Sequence, residues 1–578
     1  MKILGKVVSG SLNKGIKVVL HADESIESYP IGSLITIRGE NYTYLGIITD
    51  AGITSDDTNA YYMVNPRISN LVKDLLLKTS KDVLRTQWVE IALLAQSSGG
   101  NANLADTVPC FASSLVETNE NEIREFFGTE NRLNLWGIGY PKTPKDILVE
   151  IPIDVKKLVS LSFGIFGKSG TGKTFLGNLL AGYIVMYDLV SEEDKKLKLL
   201  IFDMHTEYAL ELKDNMGNPI ADGVAKIFKM HFLRYTPDEE IARERNLHLL
   251  KLNLRNITLD DITMIAPIFG VSPAFLQYLR GYKQIISKEL KLGDLWVIGL
   301  LLDETLVDRL NNSEDGRKIL DQLSVRLNMD RDFISNLRNR IYERIKSKLG
   351  VGAAQAFITQ STKLRRIMEY PFTVEEDPIS EIVENLVKKD GMHITISLGK
   401  YEKETPLYML IANLIARKLR EKIIEKSLKG EELETKIIIF LEEAHNFLGR
   451  ETYRTSPFGD IAREMRKKGV ILCVIDQRPS ELDPDVISML WTNFVFALTE
   501  KHDINTAVLG APRSHLFEKI IPVLRNREVF IYGQAVRFPV IVKIRDYKVA
   551  EEFFKDESKK LASKIEESIE MLREQGLL

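Results

Sequence analysis

One run of eight residues constrains this chain more than everything around it. Gly167-Lys168-Ser169-Gly170-Thr171-Gly172-Lys173-Thr174 satisfies G-x-x-x-x-G-K-[ST] in full. Average residue frequencies give such a match by chance in roughly 2% of chains of this length. The flanks narrow it further, because Phe163-Gly164-Ile165-Phe166 reads as a strand and Phe175-Leu176-Gly177-Asn178-Leu179-Leu180 opens a helix. At such a turn the glycines let successive backbone N–H groups face the α- and β-phosphates of a nucleotide, at a helix N-terminus that favours anions. Lys173 then reaches the β- and γ-phosphates, and the Thr174 hydroxyl is placed for Mg²⁺. The expected ligands are ATP and Mg²⁺, held by Gly167 through Phe175.

The surrounding pattern agrees with an α/β core. From about residue 150, apolar strands alternate with longer helices, the mark of a parallel sheet. The expected strands are Ser162–Phe166, Leu199–Phe202, Ile437–Leu441, Val470–Ile475 and Phe494–Leu498. Between the second and third, roughly residues 257 to 389 are amphipathic helix, Ile334 to Leu349 among them with an Arg/Lys-rich outer face, and read as an insertion. The first ~60 residues are short strands with turn punctuation (Ile3–Val8, Ile16–Leu20, Leu34–Ile37, Tyr42–Ile47), spaced as in a small β-barrel. A helical patch, Ile68–Leu77, interrupts it, and Trp88–Leu94 and Thr107–Phe111 are expected to complete it. The resulting division is 1–150 for the barrel and a linker, 151–250 and 390–546 for the core, 251–389 for the insertion and 547–578 for a C-terminal helical tail.

Composition excludes several classes. With 44% hydrophobic and 28% charged residues, 578 residues cannot be largely disordered. Seventy-eight basic against 81 acidic residues leave a net charge of −3, which rules out a generally basic coat but not a basic channel. The two cysteines, Cys110 and Cys473, form neither a disulfide framework nor a Cys-rich zinc site. No 18-residue apolar run and no signal-peptide pattern occur, so a cytoplasmic protein with no membrane partner is expected.

Three further features belong to nucleotide chemistry. Ile437-Ile438-Ile439-Phe440-Leu441-Glu442-Glu443 is an apolar strand ending in two carboxylates, whose side chains alternate between faces. Glu442 is expected to hold Mg²⁺ and Glu443 to polarise the attacking water. Glutamate at the first position, where aspartate is commoner, lengthens that arm. Gln477, in Val474-Ile475-Asp476-Gln477-Arg478-Pro479, falls at a strand C-terminus, where open α/β sheets place ligand-contacting groups, and its amide can sense the γ-phosphate. Arg463 and Arg466 lie in Ile461-Ala462-Arg463-Glu464-Met465-Arg466-Lys467-Lys468-Gly469. Either can act as an arginine finger in a neighbouring subunit's site, or the run is a solvated helix face.

Taken together, GKSGTGKT (167–174), FDMHTEY (202–208), FLEEAHNF (440–447), REMRKKG (463–469), IDQRPSELD (475–483) and GQAVRFP (533–539) resemble the HerA group of DNA translocases, in the HerA/FtsK superfamily of RecA-like motors. The resemblance covers nearly the whole chain. It implies a homohexameric ring that uses ATP to move along double-stranded DNA, with a NurA-type nuclease as partner in processing break ends for recombination. It places an Asp-x-His-x-Glu-like block, here Asp203, His205 and Glu207, beside the nucleotide; an Asp203–His205 hydrogen bond is the structural alternative. It favours Arg466 over Arg463 as the trans-acting finger, and a tail that crosses to the next subunit rather than folding back. One departure stands out: some relatives carry an arginine just before the P-loop strand, where this chain has Leu161 and Ser162. The alternatives are a ring ATPase of conjugation or secretion, moving protein or nucleoprotein cargo, and a nucleotide-gated scaffold.

Overall fold

Period-two alternation closes the N-terminal strands on themselves. In the computed structural model, which describes residues 2–21, 23–54, 69–70, 86–131, 133–191, 193–214, 216–328 and 334–574, the strands Gly15–Leu20, Ile3–Ser11, Ser114–Val116, Leu34–Arg38, Thr43–Thr54 and Thr86–Ser98 pair antiparallel in that order. Thr86–Ser98 then pairs back with Gly15–Leu20, so six strands form a closed barrel. Closure removes exposed edges and turns Leu4, Val18, Ile35, Ile37, Ile48, Val89, Ile91 and Leu93 into one buried cluster. The expected strand Thr107–Phe111 is not one: Pro109 has no N–H to give a ladder, Ala112 turns the chain at φ +61°, and the closing strand comes at Ser114. The helical patch expected at Ile68–Leu77 lies outside the described residues, apart from 69 and 70.

The chain forms two compact units, residues 1–192 with 472–578, and residues 193–471. In the first, the barrel is clamped to part of the α/β core. The Arg513 guanidinium donates to the carbonyls of Leu93 (2.6 Å) and Ala105, Leu34 N–H donates to Lys142 O (2.7 Å), and Lys142 pairs with Glu528 (2.9 Å). The core strand Phe163–Phe166 lies between two parallel neighbours, Val470–Asp476 and Thr492–Val495. Glu528–Gly533, Val540–Ile544, Leu135–Pro141 and Ile151–Asp154 continue the sheet antiparallel from Thr492–Val495. That strand begins two residues before the expected Phe494, because pairing with Phe163–Phe166 fixes its register from Thr492.

The second unit is built on five parallel strands in the order His248–Leu249, Phe232–Thr236, His393–Ser397, Lys196–Asp203, Thr435–Glu442. Their near-continuous apolar content (Leu199 to Phe202, Ile437 to Leu441, all buried) is what a sheet covered on both faces requires. The helix Thr405–Leu428 covers it with thirteen buried residues. The insertion leaves and rejoins this unit at one place, where Leu252–Asn253 pairs in parallel with Phe372–Thr373. Between them run helices that include Pro273–Gln284, Glu314–Leu327, Ile334–Leu349 and Val351–Ser361. The basic face of Ile334–Leu349 is not wholly outward, since Arg338 turns in to donate to the carbonyls of Leu302 (2.7 Å) and Ile358 (3.2 Å).

The architecture is thus a RecA-like α/β core with an N-terminal β-barrel, a helical insertion and a C-terminal helix. That last helix, Tyr547–Glu574, begins by folding back on its own unit rather than leaving it. Ala550 and Phe554 are fully buried, Phe554 packs on Tyr183 (5.7 Å between rings) and Phe553 on Trp136 (5.9 Å). Gly182 makes room, because a Cβ there would stand 2.4 Å from the Phe554 ring.

Candidate nucleotide site

The phosphate loop is assembled by the parallel register beside it. Phe166 pairs with Asp476 and Val495, so the chain leaves Phe163–Phe166 held on both sides. Gly167 N–H donates to Asp476 O (3.3 Å) and Lys168 N–H to Ala497 O (3.2 Å). Gly167 passes so close to the next strand that a Cβ would lie 2.5 Å from Phe496 Cβ and 2.9 Å from Thr171 Oγ1. Gly172 takes φ +116° immediately before the helix Lys173–Val190, a conformation that strains any residue with a Cβ. Lys168, Ser169 and Gly170 are exposed at the tip, and Thr171 through Phe175 are half-buried.

Within the loop, Thr171 Oγ1 donates to Lys168 O (2.7 Å). The Lys173 ammonium arches back over the loop and donates to the carbonyls of Gly167 (2.8 Å) and Lys168 (3.0 Å). The first intrahelical bond is Leu176 N–H to Gly172 O (3.0 Å), so the N–H groups of the first turn precede the helical ladder. The fit to a nucleotide is direct: a backbone cradle at a helix N-terminus, a lysine poised over it and a threonine hydroxyl on the first turn. Gln477 directly follows Asp476, in register with the residue that opens the loop. Arg527 carries no motif signature, yet it stands here: its N–H donates to Thr171 O (3.1 Å), and its guanidinium lies 4.6 Å above the Phe175 ring. The antiparallel strand Glu528–Gly533 brings it in, a pairing no local pattern announces.

The acidic strand end belongs to the second unit and is differently made. Glu442 is buried, with Oε2 accepting from Met204 N–H (3.0 Å) and its backbone carbonyl from the Tyr408 hydroxyl (2.7 Å). Burial, and then the neighbouring Asp203, hold its carboxyl well above the ordinary carboxylate range. Asp203 is fully buried too, and burial pushes it up to about 7 although the N–H groups of Glu207, Tyr208 and Ala209 all donate to it (2.9, 3.0 and 2.8 Å). Its role is therefore to tie down the turn after the strand. The Asp203–His205 hydrogen bond offered as an alternative does not form; His205 is exposed, 3.8 Å from Glu402. Glu443 parts from Glu442 not by strand alternation but by a backbone turn, since the strand ends at Glu442 and Glu443 adopts φ +47°. Its carboxylate lies 3.6 Å from His445 Nδ1.

The two candidate fingers differ in how they are held. Arg463 pairs with Asp460, donates to Tyr453 O (3.4 Å) and stacks over the Tyr453 ring at 4.9 Å. Arg466 is exposed on the turn Met465–Lys468.

A parallel sheet with this loop at the strand-to-helix junction defines a P-loop NTPase. Residues 137–419 match the family model described as "Helicase HerA, central domain". A probable helicase (MJECL08) of Methanocaldococcus jannaschii is 24% identical over 436 residues, 71% of this chain and 70% of its own length. A DNA double-strand break repair helicase HerA of Pyrococcus furiosus is 26% identical over 432 residues, 69% of this chain and 68% of its own. The solved structure of the bacterial conjugative coupling protein TrwB aligns at a TM-score of 0.39 and 12% identity, over 68% of this chain and 88% of that one. Over residues 137–419 the chain is thus similar to the HerA group of P-loop proteins. Among the described residues, no helix is long and apolar enough to cross a membrane.

Proposed function

We propose that this protein is an ATP-driven DNA translocase or helicase that works as a homohexameric ring on double-stranded DNA ends, with a NurA-type nuclease as partner. The observation that carries the reading is the intact phosphate loop, with Lys173 arched over a backbone cradle, in a chain whose residues 137–419 match the HerA central-domain model. The names of its relatives, among them a double-strand break repair helicase, support the DNA substrate. Phe111, three residues before the barrel strand Ser114–Val116, is 80% exposed and offers an apolar side chain to a protein partner.

In this reading Gly167 through Phe175 hold ATP, and Lys173 leaves the two loop carbonyls for the β- and γ-phosphates. Thr174 and Glu442 hold Mg²⁺, which when bound neutralises phosphate charge. Glu443 orients and polarises the attacking water, a task in keeping with its left-handed backbone, a conformation that costs energy and concentrates at functional positions. Gln477 senses the γ-phosphate, and Arg466, exposed and ready for a neighbour, supplies charge in trans, with Arg463 as its alternate. Transfer of the phosphoryl group to water then depends on positioning and charge neutralisation. Contacts to DNA phosphates give affinity without sequence preference.

The deciding experiment measures ATP hydrolysis with and without duplex DNA beside the mass of the particle in solution. Severalfold stimulation by duplex DNA in a hexamer is expected. A DNA-indifferent ATPase would point instead to a secretion-type motor or a nucleotide-gated scaffold.

A further inference from the structure

We propose that Arg527 is a nucleotide-binding residue, its guanidinium held by Phe175 at the α-phosphate end of the loop. The inference rests on the reading of this loop as an ATP site. Arg527 sits at φ +64°, a left-handed conformation that glycine adopts freely and arginine adopts at a cost of about 1 kcal/mol. The backbone work done there is real: its N–H donates to Thr171 O (3.1 Å), and its carbonyl accepts from Ile544 N–H (2.9 Å). A glycine would make both bonds without the strain. The bonds therefore explain the turn and leave the arginine side chain unexplained.

The side chain is aimed at the loop. Its stem passes 3.7 Å from the position a Cβ on Gly172 would take, and its guanidinium lies 4.6 Å over Phe175. Phe175 is in the first helical turn, ahead of the Leu176–Gly172 bond that starts the ladder, so its ring flanks the N–H groups that face an anion. Stacking occupies the flat face of a guanidinium and leaves its N–H edges directed outward, the geometry that binds phosphate oxygens two at a time. The acidic partner is Asp546, 3.3 Å from Nη1, with the two side chains 57% and 34% exposed. A pair that open to solvent is worth at most about 1 kcal/mol, so a phosphate can take its place. Position along the loop selects the α-phosphate: Lys173 serves the β- and γ-phosphates, and Arg527 lies beyond it, at the helix side. Arg527 brings a cation to the loop from a segment more than 350 positions further along the chain.

The test uses the full chain and two variants, Arg527→Gly and Arg527→Lys, with binding of Mg²⁺-ATP and Mg²⁺-ADP measured by calorimetry and melting followed in parallel. Arg527→Gly relieves the backbone, so its melting temperature is expected within about 2 °C of the parent. Its affinity for ATP and for ADP is expected to fall together, by about tenfold, with Arg527→Lys recovering part of the loss. Unchanged affinities in a folded Arg527→Gly protein overturn the proposal. A loss confined to ATP overturns the α-phosphate assignment, because it locates the contact at the γ end. Should Arg527→Gly fail to fold, Arg527→Lys decides: affinities equal to the parent's for both nucleotides overturn the charge-geometry argument, and a shared loss supports it. A parent protein that binds neither nucleotide more tightly than Lys173→Ala refutes the ATP-site reading itself, which is a different failure.

Discussion

The phosphate loop and the acidic end of Thr435–Glu442 treat charge in opposite ways. At the loop, positive character is displayed: the helix Lys173–Val190 begins there, Lys173 bridges two carbonyls at the mouth, and the tip from Lys168 to Gly170 is in solvent. At the strand end, negative character is withdrawn, with Asp203 and Glu442 both buried and both raised well above ordinary carboxylates. Backbone donors cost little to hold ready in water. Two neighbouring buried carboxylates cannot both stay ionised without a cation. The loop thus keeps its cation at the surface, tied only to backbone carbonyls, whereas burial at the strand end favours the protonated form of its acids.

The severest challenge to this contrast is Lys173→Ala. It removes the charge from the preformed side, and ATP hydrolysis is expected to fall at least about 100-fold with nucleotide binding lost as well. Glu443→Gln should reduce turnover by a similar factor while ATP stays bound, which filter binding beside phosphate release would separate. Near-normal turnover in that variant would remove Glu443 from the mechanism. A smaller effect is expected from mixing Arg466→Ala with Glu443→Gln protein. If the site is shared between subunits, some mixed rings contain intact sites and ATPase partly returns, and absence of rescue in rings shown to exchange subunits counts against a trans arginine.

The smallest effect sharpens the other side of the contrast. A carboxyl whose folded-state pKa is raised keeps its proton longer in the folded protein than in the unfolded chain. It therefore lowers stability as pH climbs from the unfolded value near 4 towards about 7, where Asp203 titrates. Glu442→Gln removes one such acid and keeps an acceptor for Met204 N–H. Calorimetry should find the variant melting higher than the parent by about 2 °C at pH 7.5, with the gap closing near pH 4. A gap that is the same at both pH values would mean the acids are not sharing protons.

Much of this was legible before any coordinates. The loop, its flanking strand and helix, the barrel's alternation and the helix Ile334–Leu349 follow from short-range pattern, and each forms as expected. What the sequence hid lies in contacts between distant segments. Arg527 meets Thr171 across more than 350 positions, through a sheet whose antiparallel continuation no periodicity foretells. An Asp203–His205 hydrogen bond is the structural alternative that the short spacing offers, but three successive N–H groups after the strand claim Asp203 instead. Thr107–Phe111 has the apolar content of a strand, and a single proline with a left-handed alanine denies it the ladder.

The C-terminal helix gives the nucleotide loop a long pointer. Tyr547, its first residue, sets its ring edge-on to Phe175 at 6.0 Å, and Asp546 just before it pairs with Arg527. Twenty-eight residues of helix extend about 42 Å from that root. A tilt of about 5° at the Phe175 end, if the helix turns as a rigid rod, sweeps the far end through about 4 Å. Displacements too small to notice at the phosphates thus become, at the other end of this rod, distances on the scale of a whole side chain.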